Sequence, residues 1–151
     1  MKIAIVSNDY LHDNIDSFIQ AANSRFGSIE IRIWNCHDNK NIFLELTTYR
    51  PSIIVTENLA GFHMGTYMDN AAYNLIPSIQ LHIIYDPTPF SQNYSAILSK
   101  PLSLLMHFWC CSNSKREEIL SLNPDVPYIN VLPSPSPNIS FILDIIKCLV
   151  E

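Results

Sequence analysis

The chain has 151 residues, enough for one domain with a sizeable core. Hydrophobic residues make up 48% of it and charged residues only 15%, against roughly a quarter charged in an average globular chain. Nine Lys and Arg spread along the sequence, with fourteen Asp and Glu and a net charge of −5, argue against a nucleic-acid footprint and against a basic membrane-binding patch, and point to small molecules or proteins as partners.

In chain order, the apolar run Ile3–Val6 is β-branched and unalternated, as a parallel strand buried on both faces should be. It is too short for the hydrophobic region of a signal peptide, and no stretch reaches the roughly eighteen apolar residues of a membrane span, so a cytoplasmic protein is expected. Behind a polar turn, Ile15, Phe18, Ile19 and Ala22 recur at helical spacing, and Gly27 is placed to end that helix. Ile29, Ile31 and Ile33 alternate with Glu30 and Arg32, the pattern of a half-exposed edge strand ending at Trp34. Asn39–Tyr49 forms a second helix, closed by Arg50-Pro51.

Ser52–Thr56 is a third strand, and Met68–Leu75 is helical up to Pro77. A fourth strand, Ile79–Tyr85, runs into the stiff loop Asp86-Pro87-Thr88-Pro89. Ser95–Ser103 is a helix interrupted by Pro101, and Leu104–Cys111 a fifth strand. Ser114 caps a short helix through Leu120. Tyr128–Leu132 is a sixth strand, and Asn138 caps a final amphipathic helix, Ile139–Val150. Alternation of strand and helix predicts one α/β domain over residues 1–151. It is a three-layer α/β/α sandwich around a mostly parallel sheet of five or six strands, flavodoxin-like or Rossmann-like.

Such sheets bind ligands at the carboxyl ends of their strands, near the point where strand order reverses. The loops there carry the candidate ligand-binding residues Asp9, Glu57, Asn58, Asp86 and Ser112. Asp9, Glu57 and Asp86 converge on one ligand, or each serves its own turn by bonding local amides. His63 lies between Gly61 and Gly65, where beside Glu57 it would make a pair suited to acid–base work. Tyr67, Tyr73, Tyr85 and Tyr94 flank the same region and can line a shallow pocket, whereas His82 and His107 fall in strands and are packing positions.

Cys36, Cys110, Cys111 and Cys148 lack metal-ligand spacing, so no metal site is expected. Only three glycines occur and none follows the first strand, so neither a nicotinamide nor an ATP site is expected. A nucleophile elbow is also missing. Low surface charge and many aromatics leave a homo-oligomer and a monomer equally open.

Two resemblances extend this. Pro51 through Gly65, with Asp9 after the first strand, resembles the third strand and following loop of response-regulator receiver domains, with Glu57 where receivers carry the phospho-accepting aspartate. Leu132-Pro133 stands where receivers have a lysine before proline. The resemblance therefore implies a receiver-like interaction module independent of phosphorylation. Cys111–Lys115, Asn123–Pro127 and Val131–Pro135 resemble the end of the N-terminal lobe of two-lobed glycosyltransferases, which bind the nucleotide sugar mainly with the other lobe. The expectation is a noncatalytic module binding a protein or small ligand at its strand ends. The rival is an enzyme or enzyme lobe acting on a sugar or nucleotide-like substrate.

Overall fold

A computed structural model describes residues 1–35, 42–60 and 73–151. Six strands, β1 (Lys2–Val6), β2 (Glu30–Trp34), β3 (Ile53–Glu57), β4 (Ile79–Ile84), β5 (Met106–Cys110) and β6 (Ile129–Val131), form one sheet. Its order is β2-β1-β3-β4-β5-β6 and every pairing is parallel. The described helices are α1 (Tyr10–Asp13), α2 (Ile15–Phe26), α3 (Ile42–Tyr49), α4 (Gln92–Leu98), α5 (Asn113–Leu122) and α6 (Ile139–Val150). This is a three-layer, flavodoxin-like and Rossmann-like α/β fold.

The period-two geometry of a strand divides the apolar runs between two cores. Ile3, Ile5, Ile53, Val55, Leu81 and Ile83 pack on Phe18 and Ala22 of α2 and on Ile142 and Ile146 of α6. Ala4, Val6, Ile54, Ile84 and Phe108 face the other way, onto Leu46 of α3, Leu98 of α4 and Ile119 of α5. Every residue of β3 is buried, in keeping with its apolar start Ile53–Val55, and Thr56 and Glu57 at its end are buried polar residues. β2 is an edge strand whose Glu30 and Arg32 are exposed between half-buried isoleucines, as its alternation predicts. An Arg25–Asp144 ion pair joins α2 to α6 on the outside.

β1 sits between β2 and β3, so the direction of winding reverses at the carboxyl ends of β1 and β3. The register places Val6 opposite Thr56 and Glu57 opposite Ile83, which brings the loops after β1, β3 and β4 side by side.

Several boundaries differ from the sequence pattern: β5 starts at Met106 rather than Leu104 and β6 is trimmed to Ile129–Val131, and three further differences bear on the site. The polar stretch after β1 contains the short helix α1, whose apolar Leu11 is buried. α4 begins at Gln92 rather than Ser95, because the Ser91 side chain accepts from the Tyr94 N–H and fixes the first turn, and it ends ahead of Pro101. The cap of α5 is Ser112, whose Oγ accepts from the Lys115 N–H at 3.1 Å, so Ser114 lies inside the helix. The helix expected over Asn39–Tyr49 is described from Ile42 onward, and that over Met68–Leu75 only for residues 73–75, which are helical.

Candidate functional site

The carboxyl edge is organised around Asn58. It has φ 52°, and Leu59 follows at φ 57°. Asparagine tolerates the left-handed region, but leucine there costs about 1–2 kcal/mol, so the surroundings must impose the shape. They do so through the Asn58 side chain. Its Oδ1 accepts from the N–H groups of Tyr85 at 2.8 Å and Asp86 at 3.0 Å, and its Nδ2 donates to Asp9 Oδ2 at 3.1 Å. The backbone N–H of Asn58 donates to the Ile83 carbonyl at 2.7 Å. One amide thus ties together the ends of β1, β3 and β4.

Glu57 turns away from this surface. It is fully buried among the apolar side chains on the α2–α6 face. Its Oε1 accepts from Ser7 Oγ at 2.6 Å and from the Leu11 N–H at 2.7 Å, which anchors α1. Oε2 is buried without a hydrogen-bond partner, and so is Tyr85 Oη, which stands near the same carboxyl. Burial pushes the Glu57 carboxyl above its ordinary value, with the Asp9 charge adding to the rise; the Ser7 and Leu11 donors and the neighbouring Tyr85 phenol oppose it. The geometry suits the neutral acid, with both donors on Oε1 and the proton left to Oε2. Burial and the facing Glu57 carboxyl raise the Tyr85 phenol well above its ordinary value.

Asp86 is exposed, its Oδ1 held by the Thr88 N–H at 2.9 Å. That hydrogen bond is the main cause that holds its carboxyl below the ordinary range, with the Lys115 charge a smaller one. Asp86 lines a cleft of about 230 Å³ whose walls are Leu59, Ile84, Pro89, Phe90 and Tyr94. It opens at the ends of β3 and β4, on the α4–α5 side of the sheet.

The rim of the cleft is braced from α5 by residues that the sequence pattern does not single out as a pair. Lys115 Nζ is buried, donates to the Thr88 carbonyl at 2.7 Å and to Glu118 Oε1 at 2.6 Å, and lies 4.0 Å from the Phe90 ring centroid. Glu118 Oε2 accepts from the Phe90 N–H at 2.7 Å. The three-residue spacing of Lys115 and Glu118 was the available signal, but i,i+3 pairs are common on solvated faces.

Of the candidate residues, Asp9, Asn58 and Asp86 therefore meet around one clamp, with the Asn58 side chain bonded to the Asp9 carboxylate and to the Asp86 N–H. Glu57 is adjacent in sequence but sealed below, and Ser112 is a helix cap. His63, with Gly61, Gly65 and Tyr67, lies outside the described residues, as does Cys36. Tyr94 lines the cleft, whereas Tyr73 is buried, with its hydroxyl donating to the Ala60 carbonyl at 2.9 Å. His82 is a packing residue, fully buried, with Nδ1 2.6 Å from Thr56 Oγ1 and Nε2 3.0 Å from Gln80 Oε1. Burial depresses its pKa to about 3. His107, half-buried, stacks on Tyr128.

Among the described residues no group of three or more His, Cys, Asp and Glu is arranged to hold a metal ion, and no helix is long and apolar enough to cross a membrane. No protein-family model matches the chain. No curated protein matches it either.

Proposed function

We propose that this chain is a recognition module that binds a small ligand in the cleft between the loops after β3 and β4. The observation that carries the reading is the cost the fold accepts to shape that cleft. Two consecutive non-glycine residues, Asn58 and Leu59, are held left-handed at its wall. Strain of this kind persists only where surrounding structure over-determines it, and it gathers at ligand clamps. The Lys115–Glu118 brace fixes the opposite rim through backbone contacts at Thr88 and Phe90. A pre-formed, mostly apolar concavity with one placed charge is the usual form of a small-molecule site. Its position at the carboxyl ends of parallel strands, beside the winding reversal, agrees with where such sheets bind ligands.

The strand order supports a second reading, a receiver-like scaffold, since β1 lies between β2 and β3 with Asp9 near the end of β3. In that reading Glu57 serves as a structural acid, because a fully buried carboxyl offers no oxygen to a phosphoryl donor.

The test is a metabolite panel screened by thermal shift against the native chain, Tyr94→Ala and Ser136→Ala. A ligand at a hundred times its Kd stabilises by about 2.7 kcal/mol, which for a domain of this size raises Tm by about 5 to 10 °C. Hits should be lost in Tyr94→Ala and retained in Ser136→Ala, which alters a separate cleft of about 140 Å³ beside the start of α6. Hits with the opposite sensitivity would place recognition elsewhere.

A further inference from the structure

Resting on the assignment of the cleft as the ligand site, we propose that its ligand is a compact organic ammonium, a charged amine on an aromatic or branched apolar body, with the Asp86 carboxylate as counter-ion. Charge is the first reason. Among the described residues lining the cleft, Asp86 is the one with a charged side chain at neutral pH. A second carboxylate, Asp9, stands behind Asn58. The cation that acts on Asp86, Lys115, is buried and committed to a carbonyl, to Glu118 and to the Phe90 ring, and Glu118 offsets its charge in part. The field left in the cleft is negative.

The backbone amides give the second reason. An anionic ligand needs either a cation or unspent N–H groups. Around this cleft five backbone N–H groups are taken by side chains: Tyr85 and Asp86 by Asn58, Thr88 by Asp86, Phe90 by Glu118 and Tyr94 by Ser91. A phosphate or carboxylate would find these five N–H groups already taken and the Asp86 carboxylate beside them. An ammonium meets the reverse, a carboxylate already oriented by Thr88 and a wall including Tyr94, whose ring can take a cation on its face. Leu59, Ile84 and Pro89 supply the apolar contact for the rest of the molecule. At about 230 Å³ the cleft is smaller than the roughly 300–1,000 Å³ of sites for drug-sized ligands, which sets the scale of the amine.

Calorimetric titration tests this with three near-isosteric probes, phenethylammonium, neutral 2-phenylethanol and anionic phenylacetate, and with N-acetyl-lysinamide as a linear ammonium, against the native chain, Asp86→Asn and Tyr94→Ala. Asp86 is exposed, so Asp86→Asn keeps the fold, and circular dichroism verifies both variants. The native chain should bind phenethylammonium at least about fivefold more tightly than phenylethanol, the scale of a partly solvated ion pair. Asp86→Asn should erase that difference, and salt near 1 M should shrink it. Tyr94→Ala should weaken phenethylammonium and phenylethanol together. Equal or tighter binding of phenylethanol or phenylacetate, lost in Tyr94→Ala, overturns the ammonium class while leaving the cleft as the site. Binding untouched by Tyr94→Ala overturns the site itself. No binding of phenethylammonium at millimolar concentration overturns the class. Equal binding of N-acetyl-lysinamide overturns the requirement for an aromatic or branched body and assigns a peptide lysine instead.

Discussion

Glu57 and Asp86 stand at neighbouring strand ends of the same sheet, yet the two faces treat them in opposite ways. On the α2–α6 face Glu57 is sealed, hydrogen-bonded through one oxygen, and driven by burial toward its neutral form. On the α4–α5 face Asp86 is open and held in its charged form by a backbone N–H. Between them Asn58 spends its side chain on two amides and a carboxylate. A carboxylate at a strand end therefore says little by itself. Glu57 is the last residue of β3 and its side chain falls on a covered face, whereas Asp86 lies in the loop beyond β4, where its carboxylate stays open to a ligand.

The largest effect that can break this comparison is removal of the sealed acid. Glu57→Ala leaves the Ser7 hydroxyl and the Leu11 N–H without their buried acceptor and opens a void, so urea unfolding should show a loss of about 3–5 kcal/mol. Glu57→Gln keeps an acceptor oxygen without a proton to manage, and its cost should stay below about 1 kcal/mol. A large loss in Glu57→Gln would mean that the group is needed as a carboxylate.

Next comes the clamp. Asn58→Ala removes three side-chain hydrogen bonds and sets alanine in the left-handed region, for an expected loss of about 3 kcal/mol. Asn58→Gly should return about 1 kcal/mol of that, the backbone share alone. If glycine restored full stability, the amide would be incidental and the backbone shape would be everything.

A smaller effect lies in pH. A carboxyl whose folded pKa is raised contributes stability that is complete below its ordinary value of 4.5 and is lost as pH rises through the folded value. His82, depressed from 6.5 to about 3, contributes stability that is complete above 6.5 and is lost as pH falls toward 3. From pH 4.5 upward, until the Glu57 carboxyl has ionised, the two slopes oppose each other. Glu57→Gln should unmask the His82 slope, with stability rising by up to about 1.4 kcal/mol per pH unit in that window. An unchanged profile would show that Glu57 ionises normally in the folded chain.

The smallest effect separates a cap from a site. Ser112→Ala should cost about 1 kcal/mol through loss of the α5 cap. Asp86→Asn should change stability by less than about 0.5 kcal/mol, since its carboxylate is exposed. Reversed magnitudes would assign Asp86 to the scaffold.

Residue periodicity was enough for the scaffold. The apolar runs of β1 and of the first half of β3 and the alternation in β2 reported burial on two faces and on one, because side-chain period and sheet layering are local consequences of the chain; β4, with Gln80 and His82 fully buried among its apolar residues, did not announce its burial this way. Asn138 as cap of α6 and Gly27 as the end of α2, at φ 80°, were likewise legible from the residues alone. Ser112 was a candidate ligand residue and is a cap, because a serine at a strand end serves either purpose with the same chemistry.

The carboxyl edge was legible as a place but not as an arrangement. Asp9, Asn58 and Asp86 are about fifty and thirty residues apart in sequence, and only the parallel register of β1, β3 and β4 sets them around one amide. The sealing of Glu57 required the one-residue step that turns it to the opposite face from Thr56, together with the packing of α1 over it. The Lys115 brace required α5 to dock against the loop after β4. Local pattern fixes which groups are present and which way a strand alternates; burial, partner and charge state depend on neighbours distant in sequence, and those the tertiary structure alone decides.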